Sequence, residues 1–411
     1  MRVRKTLVVT GATLVLACGT VQAPAPSDGL RRYEEDFDLL KANVQVVELT
    51  DDDGMARVAI VPAYQGRVMT STAGGPNGWS LGWVNEELVA SWETLAHINP
   101  YGGEDRFWLG PEGGQFAVFF EKDAPFDLEH WQTPPLIDTE PFELMAASAR
   151  RAVFRRRGSL ANYSGFTFDL QVDRTISLLG EGEVRSRFRV NVPDGVALVA
   201  FESENRVTNT GREPWRKETG LLSIWILGMF PPSDGATVVI PFTPGPEEDL
   251  GPVVNDAYFG KVPADRLVVE SERLFFRADG RHRSKIGISP LRAGPLCGSY
   301  DPERGVLTLV QLTIPMEAHD YVNSMWEVQE EPYLGDVVNS YNDGPPEPGA
   351  PPMGPFYELE SSSPALELGP GESYLHVHRT AHFQASEEVL DPISRAALGV
   401  GIAEIKGAFG D

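Results

Sequence analysis

Glu358 and Glu360 stand two residues apart in "YELE" (357–360), and a Pro-Gly-Glu turn (370–372) separates them from His376, His378 and His382. On a strand, a spacing of two puts both carboxylates on one face. Held together under cover, two carboxylates repel, and one pKa rises toward the range of a general base working near neutrality. The simpler expectation is that both accept hydrogen bonds from ligand hydroxyls or from water. A His-x-His pair on one strand face is a common metal pair. His382 would supply a third ligand, but the second motif that a cupin-type metal site needs does not follow in the chain.

Elsewhere the side chains suit a polar, ring-shaped ligand. Trp79, Trp83, Trp92, Trp108 and Trp131 crowd one stretch, and flat rings of this kind stack on the apolar faces of pyranoses. Arg106, Glu112, Asn323, Glu327, Asn339, Asn342 and Asp343 are planar hydrogen-bonding groups able to read hydroxyls, and Trp326 falls among them. Lys285, in "RHRSKIG" (281–287), would meet an acidic sugar or simply line a cleft. "RRAVFRRRG" (150–158) would attract an anionic polysaccharide or, more simply, form a solvated strand face.

The elements that must hold these residues are strands. "VQVVELT" (44–50), "ARVAIVPA" (56–63), "QFAVFFEK" (115–122), "RAVFRRRG" (151–158), "VRSRFRVNVP" (184–193), "ALVAFESENRVTNTG" (197–211), "GVLTLVQLTIP" (305–315) and "SYLHVHRTAHF" (373–383) alternate or run apolar between turn signals. That pattern predicts a mainly antiparallel β-protein. No low-complexity break divides it, so one domain is expected over 29–411. Two short helices are predicted. The first has Leu30, Tyr33, Phe37 and Leu40 on one face and Ser27 or Asp28 as cap. The second runs over 391–398, with Asp391 as cap and Pro392 at its first position.

Several segments, in chain order, resemble galactose mutarotases and related aldose 1-epimerases. They are "YQGRVMTST" (64–72) with "YGGEDRFWLGPEGGQF" (101–116), "ESENRVTNTGREPW" (202–215), and the "FYELESSSP" strand with its Pro-Gly-Glu turn. More closely, the chain resembles an uncharacterised family of secreted bacterial proteins with that fold. The resemblance implies an antiparallel β-supersandwich with a sugar on its concave face, Arg67 and Arg106 nearby, and Glu360, or else Glu358, as general base. It also implies a histidine acid after the Thr-Asn turn. In its place "KETGLLSIWILGMFPPS" (217–233) offers Lys217, Glu218 and Trp225, so His97 of the covering loop is the remaining candidate acid. Two function classes follow, a carbohydrate-binding protein and a sugar-active enzyme. A metal-dependent β-barrel enzyme is a third, weaker reading.

At the N-terminus, Arg2, Arg4 and Lys5 precede an apolar run ending in "VLAC" (15–18), which resembles a bacterial lipobox. The expectation is a signal peptide over 1–17, a lipid-modified Cys18, a tether over 18–28, and a place in the cell envelope. Gly19 points to the outer membrane. With Cys18 acylated, Cys297 is left without a disulfide partner. A formal charge of -24 repels nucleic acid and anionic headgroups, leaving the lipid anchor as the expected membrane contact. Phosphate-loop, nucleophile-elbow and zinc-protease motifs are absent, and no cofactor is expected.

Overall fold

The computed structural model describes residues 30–347 and 349–410, so the expected export signal and tether, with Cys18, lie outside the described residues. The strands form antiparallel sheets of three, five and ten strands. The five-stranded sheet runs in the order Ser284–Ile288, Val338–Asn342, Tyr357–Ser362, Ser223–Phe230, Arg106–Gly110. Ser373–Gln384 and Ala197–Asn209 pair at the centre of the ten-stranded sheet.

The alternation of side chains along each strand explains how the sheets stack. Ile286, Ile288, Val338, Tyr357, Leu359 and Phe230 on the back of the small sheet pack with Val238, Ile240, Phe276, Val310 and Leu312 of the large one. Phe107, Leu109, Ile224 and Ile226 continue that layer toward Phe154, Phe168, Val172 and Phe201. Burying each such side chain contributes about 1.5–3 kcal/mol. This apolar layer fixes the small sheet rigidly and turns its other face outward as a floor.

Helices cover the remaining surfaces. Glu387–Leu398 and Glu181–Phe188 lie on the outer face of the large sheet through Leu390, Ile393, Val184 and Phe188. Tyr33–Asn43 packs Tyr33 and Leu40 on Ala59, Val61 and Met69 of the three-stranded sheet.

Four local expectations change. "VRSRFRVNVP" begins as helix, because Val184 and Phe188 are four apart and both bury on a helical face, while Glu183 accepts the Gly180 N–H. "QFAVFFEK" is a turn-rich loop whose Ala117, Val118, Phe119 and Phe120 bury into the core without strand pairing. The C-terminal helix starts at Glu387, with Pro392 inside it. Asp391 instead accepts the Ile402 N–H and caps the following helix, Ile402–Lys406. At the other end the helix begins after Arg32, whose N–H donates to Glu35; Leu30 precedes it and is exposed, and Ser27 and Asp28 lie outside the described residues.

Candidate functional site

Register places the chemistry of the outward floor. Arg106 pairs with Leu227 and Leu227 with Glu360, while Met229 pairs with Glu358, Glu358 with Tyr341 and Tyr341 with Lys285. These residues therefore share one face, together with Trp108, Trp225 and Asn339. The ion pairs run diagonally across the rows. Arg106 Nη2 reaches Glu358 Oε1 at 2.8 Å, and Lys285 Nζ reaches Glu360 Oε2 at 3.0 Å. Trp225 Nε1 donates to that same Glu360 oxygen at 2.8 Å.

Loops wall the floor into a cleft of about 620 Å³, its open mouth included. Its lining joins Arg106, Trp108, Trp225, Lys285, Tyr341 and Glu358 of the floor to Glu112, Trp131, Phe259, Arg283, Trp326, Met353 and Phe356. Trp108 meets Trp225 edge-on at 5.4 Å, and Trp131 stacks on Trp326 at 6.0 Å. The cations lie against rings as well. The Arg106 guanidinium is 4.1 Å from Trp108, Lys285 Nζ is 4.5 Å from Trp225, and the Arg283 guanidinium is 3.9 Å from Phe259. Gly287, the floor's end position, leaves room for a neighbour. A Cβ there would fall 2.0 Å from Asp336 Oδ2, which accepts the Tyr258 hydroxyl at 2.7 Å.

The two glutamates of "YELE" share the face but occupy different depths. Glu358 lines the cleft, and burial pushes its carboxyl up to about 8 against the pull of Arg106. Glu360 is fully buried beneath Trp225 and Lys285, with Oε1 unpartnered. Glu112, on the wall, is also raised by desolvation, with Lys285 opposing.

Other residues named from the sequence lie around the cleft instead. Arg67 is buried behind it, donating to the Gly102 carbonyl and to Gln65, and desolvation brings its pKa down to about 9. His97 is exposed, with Nδ1 2.7 Å from the Trp131 carbonyl oxygen and from Gln132 Nε2, so it braces the loop carrying Trp131. Lys217 pairs with Asp320 at 2.6 Å, away from the lining. Asn342 points to the far face, accepting the Gly280 N–H and donating to the His282 carbonyl, which holds the turn leading to Arg283. Asp343 accepts from the Tyr341 hydroxyl and the Gly354 N–H, fixing one wall. Of the five crowded tryptophans, Trp108 and Trp131 reach the cleft. Trp83 is buried against Phe356, and Trp92 is 74% exposed.

The three histidines face the interior between the sheets. Ser361 Oγ lies 2.9 Å from His376 Nε2 and 2.8 Å from His378 Nδ1, while His382 contacts Glu104 and Thr308. Desolvation lowers His376 to about 3 and His378 to about 4, which keeps both rings neutral. Among the described residues, no group of three or more His, Cys, Asp or Glu side chains is arranged to hold a metal ion. Cys297 is buried in the same layer, its thiol pushed up to about 12.

Sequence reasoning missed Arg283, Phe259, Tyr341 and Met353. Arg283 had a signal: it stands two residues before Lys285, the same spacing that tied Glu358 to Glu360.

Fold and cleft define an antiparallel β-sandwich protein with an aromatic-walled, charge-paired site on the free face of its small sheet. The chain belongs to the family of unknown function DUF6786, whose family model matches residues 31–409. Among similar solved structures is the Slr1438 protein of Synechocystis sp. PCC 6803, at 13% identity over 83% of this chain and 96% of that one, with a TM-score of 0.52. A putative aldose 1-epimerase of Escherichia coli K12 is 12% identical over 82% and 98%, with a TM-score of 0.47. A galactose mutarotase-like protein of Lactobacillus casei ATCC 334 is 11% identical over 82% and 100%, also at 0.47. At 13% identity the likeness to the Slr1438 protein is one of fold alone. No curated protein is a significant match.

Proposed function

We propose that this protein binds a carbohydrate in the cleft of its five-stranded sheet, as an exported lipoprotein held at the cell envelope through Cys18. The observation that carries the reading is the cleft itself. Trp108, Trp131, Trp225 and Trp326 supply flat apolar surfaces, and between them Arg106, Glu358 and Glu112 supply planar hydrogen-bonding groups and Lys285 an ammonium. Pyranoses present that combination of apolar faces and equatorial hydroxyls. Binding without turnover is favoured because no histidine is in the cleft lining among the described residues.

One observation supports the enzyme as a second reading. Burial biases Glu358 toward its protonated form, while a lysine and an indole N–H hold Glu360. Two carboxyls in contrasting environments are an acid and base in waiting, with Glu360 or Glu358 as base. Anomer exchange of candidate sugars followed by NMR, with Glu358→Gln and Glu360→Gln, separates the readings. Loss of a general base costs about 10² to 10⁴ in rate, whereas loss of a charged acceptor from a binding site costs about 1.5–3 kcal/mol of affinity. Both variants binding and reacting like wild type would remove the glutamates from the site. The anchor is tested separately: Cys18→Ser should move the protein from the membrane to the soluble exported fraction, and unchanged membrane retention would refute it.

A further inference from the structure

The polar atoms that the cleft leaves unspent are unevenly divided. Among buried side chains of the cleft and its floor, Arg106 Nε, Trp108 Nε1 and Trp131 Nε1 are donors without partners, and Glu360 Oε1 is the single such acceptor. All four belong to residues at most 8% exposed. A buried N–H left unpaired keeps its partial positive charge uncompensated, so an excess of such donors beneath a cleft favours an occupant that brings negative charge. Neutral sugar hydroxyls both donate and accept. Three donors against one acceptor make the ground beneath the cleft electropositive.

The charges point the same way. The chain carries a formal charge of -24, yet Arg106, Arg283 and Lys285 all line this cleft. Arg106 and Lys285 are paired with Glu358 and Glu360. Arg283 makes no ion pair among the described residues; its guanidinium lies 3.9 Å from the Phe259 ring, and its charge also acts on the carboxyls of Glu112 and Asp343. It is half-buried at the cleft wall, so its charge is directed into the space a ligand would fill. Desolvation raises Glu358 to about 8, which lessens the negative charge beside Arg106 near neutrality.

We infer that the ligand is an anionic sugar, a pyranose bearing a carboxylate, phosphate or sulfate group that Arg283 receives at the cleft wall, over a floor in which donors of Arg106, Trp108 and Trp131 are left unpaired. The inference rests on the carbohydrate reading and narrows it. A planar guanidinium offers paired N–H groups to any of these oxyanions, which is why the three substituents are kept together.

Isothermal titration of the purified protein with glucose, galactose, glucuronate, galacturonate, glucose 6-phosphate and glucose 6-sulfate tests it. At least one anionic sugar should bind ten times or more tighter than its neutral parent, and the preference should shrink as salt is raised. Which of the three substituents binds best assigns the source. Arg283→Gln should remove about tenfold of that preference, with Arg283→Lys recovering part. A matching melting temperature shows that the variant is folded, and the salt dependence of wild type reads the same charge without any variant. Neutral and anionic sugars bound within threefold of one another would overturn the anionic inference and leave the carbohydrate reading standing. Failure of every sugar to bind would overturn both.

Discussion

Lys285 Nζ lies 3.0 Å from Glu360 Oε2 in the floor of the cleft, and Glu360 is wholly inaccessible to solvent. Such a pair is costly to assemble and costlier to break. Removing one partner leaves an uncompensated buried charge, at about 3–5 kcal/mol.

Lys285→Met should therefore lower the melting temperature substantially, even though methionine fills much of the same space. Adding Glu360→Gln to that variant should restore part of the loss, because glutamine can keep the 2.8 Å bond from Trp225 without carrying charge. Denaturant unfolding of the two single variants and the double variant gives the coupling directly. Additive losses would mean that the pair is not energetically coupled.

Glu358 gives a pH dependence of determined sign. Its folded pKa is raised from 4.5 to about 8, so between those values the native state holds a proton that the unfolded chain releases. Stability from this group is complete below about 4.5 and is lost as pH rises through 8. Glu358→Gln, which stays neutral, should gain on wild type in melting temperature from pH 5 to about pH 8 and level off above it. A constant difference across that range would show Arg106 holding the carboxylate ionised throughout.

The interior histidines act in the opposite direction. His376 and His378 fall from 6.5 to about 3 and about 4, so below 6.5 the unfolded chain takes protons that the folded one refuses. Their contribution is complete above about 6.5 and is lost as pH falls toward 4. Carboxylates and other groups also titrate there, so the comparison is with His376→Asn and His378→Asn. Each variant should flatten the decline in melting temperature between pH 6.5 and 4.5. Equal slopes in wild type and variants would mean that these rings are not kept neutral by burial.

The sequence disclosed the large sheet more readily than the site. Thr167–Leu178 alternates exposed or half-buried with buried residues along its whole length, and that period is plain in "TFDLQVDRTISL". Ser223–Phe230 is buried at every position, because its two faces meet the core and the walled cleft, so "SIWILGMF" shows no alternation. Arg106–Gly110 and Val338–Asn342 are buried throughout for the same reason. Glu358 and Glu360 were found through their spacing. Their partners Arg106 and Lys285 come from strands 252 and 75 residues away, and only register brings them to one face. Trp225 was legible as a residue standing where a histidine was expected, but not as a donor to Glu360.

Tryptophan crowding in the sequence and tryptophan placement in the fold can be told apart by experiment. Trp326 is half-buried in the cleft wall, stacked on Trp131 at 6.0 Å and edge-on to Phe120 at 5.2 Å, with part of its surface left for a ligand. Trp92 belongs to the crowded stretch but is 74% exposed and outside the lining. A ring that stacks on a sugar buries apolar area worth roughly 25 cal/mol per Å², so losing about 50–60 Å² of contact in Trp326→Ala should weaken binding of a recognised sugar by roughly tenfold. Trp92→Ala should leave affinity within about twofold, since an exposed side chain away from the site changes little. Titration of one sugar against wild type and both variants makes the comparison, with melting temperatures to confirm that each is folded. Equal affinities for wild type and Trp326→Ala would mean that the ligand does not lie along the Trp131–Trp326 wall, and the aromatic side of the proposed site would have to be redrawn around Trp108 and Trp225.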